Sequence, residues 1–116
     1  MADIISSVNQ SSFGFRIVSQ GDARYPLMRA GVIRTPHGDI KTPNFNLVGT
    51  MGSVRFLPPS DMREVGAQVM LSNGYHLYRR ATIISASGGL AQWSGWQGST
   101  FTDSGGFQVM SLGSGL

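Results

Sequence analysis

The pattern of apolar and polar positions divides the chain into three regions. Residues 1–12 are polar, rich in Ser, Asn and Gln and without periodicity, which predicts a disordered tail. Residues 13–43 contain short runs in which apolar residues alternate with others, as in antiparallel strands. From residue 44 to residue 116, three apolar runs are each followed by a helical or loop segment. Strands that alternate with helices in this way predict parallel pairing and an α/β fold.

Turn residues join two of the strands expected in residues 13–43. An apolar run at 30–35 precedes a Pro-His-Gly-Asp segment at 36–39, and residues 40–42 continue as the next strand. Pro, Gly and Asp at this spacing predict a hairpin. Because His37 falls within the turn, we interpret it as an exposed turn residue rather than a catalytic one.

The three apolar runs after residue 44 all end in a polar residue. The predicted strands cover residues 44–50, 67–71 and 99–103. The runs lead to Thr50, Asn73 and Asp103, which should share one rim because the carboxyl ends of parallel strands lie side by side. For Asn73 two interpretations stay open. It is either a turn residue that terminates the strand, or its amide orients Asp103 or a ribose hydroxyl.

Capping patterns predict two helices between these strands. Asp61, followed three residues later by Glu64, fits a capping box at the start of a short helix, and Gly66 would close it. A second helix is predicted to begin near Tyr75, to continue to about residue 86, and to end at Gly88-Gly89. The two acidic residues are therefore expected to stabilise a helix rather than to act in catalysis.

Large apolar residues in residues 44–116 should supply the core. Trp93 and Trp96 are expected to fill space under a loop. Val48, Met70 and Phe101 are expected on a shared inward face that needs cover from further strands. The isolated chain is therefore expected to self-associate or to pack loosely.

Charge and composition narrow the classes of function. Nine Lys and Arg against six Asp and Glu give a net charge of +3, a mild basic bias that is compatible with a nucleic-acid partner. The basic residues of the first strands favour solvated faces over a phosphate-binding stripe. The absence of Cys and the presence of two His exclude disulfides and a metal site made by histidines alone. No apolar run approaches a membrane span, so no membrane partner and a cytoplasmic location are expected.

The segment at 101–108 concentrates the candidate chemistry. Asp103 is followed by Ser104, the Gly105-Gly106 pair, Phe107 and Gln108. Glycines allow a positive φ and a close approach of the backbone to a flat ligand, which leaves main-chain N–H groups as donors. A carboxylate can accept two parallel hydrogen bonds, such as those that a guanine-like base offers. An aromatic ring could stack on that base, and a carboxamide could meet another edge.

Thr102 to Val109 resembles the signature of the tRNA-guanine transglycosylases, also called queuine tRNA-ribosyltransferases. Further matches occur in the same order along the chain. They are Arg29-Ala30-Gly31, Thr35-Pro36-His37-Gly38, Thr42-Pro43-Asn44-Phe45, Val48-Gly49-Thr50, Leu71-Ser72-Asn73-Gly74-Tyr75-His76-Leu77, and Gly88-Gly89-Leu90 with Trp96. The resemblance runs from about residue 29 to the end and corresponds to the N-terminal third of the family.

The resemblance implies a fold and a reaction. Residues 44–116 would form the first three strands of a TIM barrel, which takes about 250 residues when complete. The family exchanges guanine in a tRNA anticodon for a 7-deazaguanine base. Asp103 would bind the purine and act in proton transfer, while residues 104–108 and Asn73 would bind substrate. The covalent nucleophile and a Cys₃His zinc site would lie further along a full-length relative, so no cofactor is expected in this chain.

Two departures from the family pattern stand out. Gly74 replaces the Thr that commonly follows the Asn, and Arg79-Arg80-Ala81-Thr82 replaces the expected Leu-Arg-Pro-Gly. The expected partners are tRNA, the base, and a full-length subunit in a homo- or heterodimer. The chain would be an N-terminal part of the enzyme, inactive alone. The alternatives are a truncated, non-catalytic relative that binds a base or a partner, and a degraded gene product without function.

Overall fold

A computed structural model describes residues 13–112, so the disordered tail predicted for residues 1–12 lies outside the described residues. The chain forms two compact units, the first ending at Asn44 and the second beginning at Phe45. Each unit contains a three-stranded sheet. The first sheet is antiparallel and the second is parallel, so the mixed α/β class predicted from the pattern is confirmed.

The first unit is built on an antiparallel meander. Its strands are β1 (Gly14–Gln20), β2 (Arg29–Thr35) and β3 (Gly38–Thr42), in the order β1-β2-β3. The predicted hairpin joins β2 to β3. Thr35 Oγ1 donates to Gly38 O at 2.8 Å and accepts from His37 N at 3.1 Å. The turn is thus closed by a side chain, and His37 is exposed as predicted.

The sheet of the first unit has an apolar row on one face and charged side chains, on either side of Val32, on the other. Phe15, Ile33 and Ile40 are cross-strand neighbours in one row, and Ile40 is only 1% exposed. Arg16 and Lys41, which alternate with them along the strands, are both exposed. The alternation follows from the period of two along a strand.

The second unit alternates strands and helices. Its elements are β4 (Leu47–Val48), α1 (Pro59–Glu64), β5 (Val69–Asn73), α2 (Gly74–Tyr78), α3 (Ala81–Ala86), α4 (Leu90–Ser94), β6 (Ser99–Asp103) and α5 (Gly106–Ser111). The sheet order is β4-β5-β6, and both pairings are parallel. Closure of such a sheet into a barrel stays a prediction.

Strand β4 is shorter than the predicted 44–50. Asn44 Nδ2 donates to Lys41 O at 2.9 Å. This bond holds Asn44, the first residue of the predicted strand, beside the end of β3. Pairing with β5 nevertheless continues beyond Val48. Gly49 N donates to Leu71 O at 2.7 Å, and Asn73 N donates to Thr50 O at 3.0 Å. Thr50, the predicted end of the strand, is therefore still hydrogen-bonded to β5.

The predicted capping box at Asp61 and Glu64 is wrong. Pro58 is the N-cap of α1 and makes no side-chain cap, since the proline ring has no hydrogen-bonding group. Pro59 occupies the first helical position, which proline favours, so the helix starts before Asp61. Asp61 consequently lies within the first turn, where its carboxylate still faces the positive end of the helix dipole. Its Oδ1 accepts a bond from Ser60 Oγ at 2.8 Å.

The end of α1 explains why β5 begins two residues later than predicted. Gly66 has φ 77, and its N–H donates to Arg63 O at 3.0 Å. Ala67 N then donates to Met62 O at 2.9 Å. These two bonds form a Schellman motif. Since the Ala67 N–H is used in this motif, the ladder of β5 begins at Val69.

The second predicted helix is divided in two. Helix α2 ends at Tyr78, and α3 begins at Ala81 after two arginines. Gly88 and Gly89 follow α3 with φ 89 and 103, as the predicted stop requires. No helix within residues 13–112 has the length and apolar character needed to cross a membrane.

The core of the second unit consists of Met62, Met70 and Trp96, all buried. Trp96 Nε1 donates to Ser99 O at 3.0 Å, so the indole is buried with its polar atom satisfied. Trp93 is half-buried. The role predicted for Trp96 as a core residue is confirmed.

The expectation that Met70 shares an inward face with Val48 and Phe101 is wrong. The register pairs Val48 with Leu71 and Leu71 with Phe101, whereas Met70 pairs with Leu47. Met70 therefore lies on the opposite face of the sheet. On that face it packs against Met62 of α1.

The buried hydroxyl of Ser72 allows a test of how polar groups in the second unit affect stability. It is 1% exposed, and its hydroxyl has no hydrogen-bond partner among the described residues. A buried polar group without a partner costs about 1–3 kcal/mol, so Ser72→Ala should leave the free energy of unfolding unchanged or raise it. Thr35→Val, which removes a hydroxyl with two bonds, should lower it by about 1–2 kcal/mol. Urea denaturation of both variants checks the difference, and a larger loss for Ser72→Ala would contradict it.

Candidate functional site

Asp103 ends β6 on the rim predicted from the sequence. It lies opposite Asn73, the last residue of β5, in the parallel register. Asn73 N donates to Thr50 O at 3.0 Å, which brings the third predicted residue to the same rim. The carboxyl ends of three strands thus carry a hydroxyl, an amide and a carboxylate together. In parallel α/β folds this edge is where ligands bind.

Two hydrogen bonds orient the Asp103 carboxylate, one on each oxygen. Oδ1 accepts from Gly105 N at 2.9 Å, and Oδ2 accepts from Asn73 Nδ2 at 3.1 Å. Asp103 itself is exposed. An ionised carboxylate has about four lone-pair sites, so each oxygen keeps a further site directed to other donors.

Asn73 has both of the roles that the sequence left open, as a residue at the strand end and as a residue that orients Asp103. Its Oδ1 accepts from His76 N at 3.2 Å and caps α2. Its Nδ2 donates to Asp103 Oδ2. Because the cap fixes which end of the amide is the acceptor, the other end must present N–H groups to Asp103. Asn73 is buried, so both bonds are held in a fixed geometry.

The expectation that both glycines present free main-chain donors is corrected by the structure. Gly105 has φ 67, as predicted, but its N–H is bonded to Asp103 Oδ1. Gly106 is the first residue of α5, and its N–H donates to Ser104 Oγ at 3.4 Å. The loop thus uses its N–H groups to fix the carboxylate and the start of the helix.

Close backbone approaches hold this loop against α2. A Cβ at Gly74 would lie 2.7 Å from the carbonyl oxygen of Asp103. A Cβ at Gly105 would lie 2.8 Å from Tyr75 N and also in contact with the Tyr75 Cβ. Any larger side chain at Gly74, the Thr of the family pattern included, would require the loop or the helix to shift.

The remaining predicted site residues lie on α5 or just before it. Ser104 is exposed in the loop, and Gln108 is half-buried. Phe107 is 77% exposed, which leaves its ring open to solvent. The structure therefore brings Asn73, Asp103 and Gly105 into direct contact. Phe107 follows as the second residue of α5, and its ring is open to solvent.

No group of three or more His, Cys, Asp or Glu side chains within residues 13–112 could hold a metal ion. Two acids of this region have partners of their own. Asp22 accepts bonds from Arg24 N and Tyr25 N at 2.9 and 3.0 Å, and Asp39 forms an ion pair with Arg34 at 3.7 Å. These residues do not fit a zinc site, and zinc in full-length relatives stays an expectation.

Sequence reasoning missed one unusual feature of the backbone. Phe56, in the loop between β4 and α1, has φ 61, the single positive φ found for a non-glycine residue in the described part of the chain. The left-handed region costs a residue with a Cβ about 1–2 kcal/mol. The guanidinium Cζ of Arg55 lies 5.9 Å from the ring centroid of Phe56. Nothing in the local sequence signals a positive φ, because turns of this kind usually contain Gly or Asn.

Comparisons with known proteins agree with the resemblance. The profile of the queuine tRNA-ribosyltransferase family matches residues 25–115. Curated relatives named queuine tRNA-ribosyltransferase include those of Thermosynechococcus vestitus, 45% identical over 100 residues, and Thermus thermophilus, 51% identical over 96 residues. A relative from a Cyanothece species is 40% identical over 114 residues.

These alignments cover most of this chain and a small part of each relative. They include 84, 81 and 97% of the chain, but 26, 25 and 29% of the respective relatives. The chain thus spans about a quarter of the length of the curated relatives that it matches. The matched region contains the whole Asn73–Asp103–Gly105 arrangement.

Proposed function

Since the chain belongs to the queuine tRNA-ribosyltransferase family, we propose that Asp103 is the carboxylate that recognises a guanine-type base. The activity of the whole enzyme would be exchange of guanine in a tRNA anticodon for a 7-deazaguanine base. The partners are then a tRNA and the free base. A full-length subunit, in a homo- or heterodimer, would supply what this segment lacks.

The geometry of Asp103 carries this proposal. Each carboxylate oxygen accepts one bond from within the protein and keeps a second site for a ligand. The ring N–H and exocyclic amine of guanine form a pair of parallel donors, which matches a carboxylate in the bidentate manner. Adenine has no such pair on its Watson–Crick edge, so the site discriminates between the purines.

The other residues of the segment would position the base. Asn73 and Gly105 hold the carboxylate in one orientation, which lowers the entropy lost when a flat ligand binds. Phe107, exposed at the start of α5, would stack on the base face, and Gln108 would bond a further edge. Ser104 and Gly106 shape the turn between the carboxylate and the ring.

The reaction needs more than this segment contains. Base exchange on ribose passes through an oxocarbenium-like transition state and uses a carboxylate nucleophile together with a group that moves protons on the base. Asp103 would bind the purine and assist proton transfer. One carboxylate cannot perform both roles at once, so the nucleophile must come from another part of a complete enzyme.

A binding and exchange experiment tests the proposal. The 116-residue chain should bind guanine or a 7-deazaguanine in calorimetric titration and should bind adenine more weakly, and it should not incorporate labelled guanine into tRNA. Equal affinities for guanine and adenine would contradict recognition by Asp103. Incorporation by the chain alone would show that it contains a nucleophile. Binding without incorporation, even beside a full-length subunit, would favour the non-catalytic base-binding module.

A further inference from the structure

Two adjacent arginines occupy the turn between α2 and α3. Arg79 and Arg80 are both exposed, and they stand in the segment that departs from the Leu-Arg-Pro-Gly of the family pattern. Within residues 13–112 neither guanidinium forms an ion pair. The turn therefore carries two neighbouring positive charges that no acid of the described residues neutralises.

Helix stability explains only one of the two arginines. Arg79 is the C-cap of α2, where a positive charge is favoured by the helix dipole. Arg80 is the N-cap of α3 and makes no side-chain cap. A positive charge there opposes the dipole, and Ser, Thr, Asp or Asn is favoured at this position. Because Arg80 is exposed, packing does not compensate for this, and such broken local rules are expected at functional positions.

The turn lies within reach of the loop that holds Asp103. Helix α2 begins at Gly74, where a Cβ would lie 2.7 Å from Asp103 O. Since a helix has 3.6 residues per turn and rises 1.5 Å per residue, the Cα of Arg79 lies about 8–9 Å from that of Gly74. Arg80 N donates to Leu77 O at 2.8 Å, which keeps the next residue against α2. The long stems of the two arginines can therefore bring their charges beside a ligand at Asp103.

Tyr78 adds an aromatic ring to this turn. It follows Gly74 by four residues, so the two lie on one side of α2, and both line the groove between α2, α3 and α4. Because Gly74 faces Asp103, Tyr78 lies on the side of the helix that is directed to the candidate site. Tyr78 is 70% exposed, so its ring is open to a ligand.

We infer that residues 78–80 bind the backbone of a single-stranded RNA beside the base that Asp103 recognises. Arg79 and Arg80 contact phosphates, which guanidinium groups bind in a bidentate manner. Tyr78 packs against a flanking nucleotide, as aromatic rings do in proteins that bind single strands. The inference rests on the proposed function, because it assigns the strand on either side of the recognised base to this turn.

The charge of the turn favours RNA over a second copy of the chain. In a two-fold dimer the same patch of both copies meets. An interface centred on this turn would bring Arg79 and Arg80 close to their own equivalents, and like charges would repel. A row of phosphates instead meets the arginines with opposite charge, and the net charge of +3 also favours an RNA.

Fluorescence anisotropy with two labelled RNA heptamers tests the contact. Both have a central guanine between uridines, and in the second the phosphates on both sides of the guanine are uncharged methylphosphonates. Wild type should bind the first about tenfold more tightly. Arg79→Gln/Arg80→Gln should bind both as weakly as wild type binds the second. Its slope of log Kd against log salt concentration should be smaller by about 1.4, at about 0.7 for each phosphate contact on a single strand.

The matched control is Arg24→Gln/Arg63→Gln, which removes two exposed charges elsewhere and should leave the phosphate preference and the salt slope unchanged. Equal effects of the two double variants would overturn the inference, since net charge alone would then explain the binding. So would a concentration-dependent dimer in sedimentation that Arg79→Gln/Arg80→Gln alters without any effect on RNA.

Two single variants separate RNA binding from stability. Arg80→Asn introduces a favoured N-cap, so it should melt at a higher temperature while it binds the first heptamer about threefold more weakly. A residue with a purely structural role would not lose RNA affinity while gaining stability. Tyr78→Ala should bind that heptamer about tenfold more weakly with an unchanged salt slope, because stacking involves no phosphate. Unchanged RNA affinity of Arg80→Asn would contradict the contact.

The base of the heptamer separates this inference from the proposed function. Replacing the central guanine by adenine should weaken binding by wild type and should have little effect on Asp103→Asn. If that dependence is absent while Arg79→Gln/Arg80→Gln still lowers the affinity and the salt slope, recognition by Asp103 fails and the phosphate contact stands. If guanine dependence is present and the double variant binds as wild type does, the phosphate contact fails and recognition by Asp103 stands.

Discussion

Replacing Asp103 by Asn is expected to weaken guanine binding by about 2–4 kcal/mol, through one lost charge-assisted bond and one donor left facing another donor. Within the protein, the new amide would also present its N–H groups either to Gly105 N or to Asn73 Nδ2, which now donate to the carboxylate. Asn73 cannot rotate its amide to compensate without losing the cap on α2. Calorimetric titration of both proteins with guanine measures the effect.

The matched control for this substitution is Phe107→Tyr. Phe107 is exposed, so an added hydroxyl can reach solvent while the ring face remains available for stacking. We expect its affinity for guanine to stay within about 0.5 kcal/mol of wild type, the usual range for surface substitutions. If Phe107→Tyr loses affinity while Asp103→Asn does not, Asp103 is not the carboxylate that reads the base.

The order of the elements was predictable from the sequence because each strand is marked by its own short apolar run. The hairpin of β2 and β3 follows from turn residues at 36–39. The parallel order of β4, β5 and β6 follows from the alternation of apolar runs with capped or Gly-terminated segments. These signals are local, so they are present in a single sequence.

Element boundaries were predicted less well because non-local or competing bonds decide them. Asn44 bonds back to Lys41, which shortens β4, and the Schellman motif of α1 takes the Ala67 N–H, which delays β5. The assignment of Met70 to the same face as Val48 failed for a related reason. A shift of one residue in register exchanges the two faces of a strand, and the sequence alone does not fix the register.

The candidate site, too, could be predicted only in part. That Asp103 ends a strand beside Asn73 could be predicted, since both follow apolar runs and parallel strands align their carboxyl ends. The bond from Gly105 N to Asp103 Oδ1 could not, because it depends on the dihedral angles of a loop. The approach of Gly74 to the Asp103 carbonyl is equally invisible in the sequence, where glycine indicates only that a side chain is absent.

Gly105→Ala is expected to have the largest effect on stability, lowering the free energy of unfolding by about 2–5 kcal/mol. Two costs combine at this buried position. Gly105 has φ 67, which strains any residue with a Cβ, and the new methyl group would meet Tyr75 N at 2.8 Å. Because the loop must move to relieve the contact, the Gly105 N–H would also leave Asp103 Oδ1. Urea denaturation and guanine titration measure the two consequences.

Gly66→Ala separates the contribution of backbone strain from that of the contact. Gly66 has φ 77, and a Cβ there would have no heavy atom within 4 Å. Its substitution should therefore cost only the strain, about 1–2 kcal/mol, and should leave guanine affinity unchanged. The excess loss in Gly105→Ala is then the energy of the contact between the loop after β6 and the start of α2. Equal losses for the two variants, with equal guanine affinity, would mean that this contact does not position Asp103.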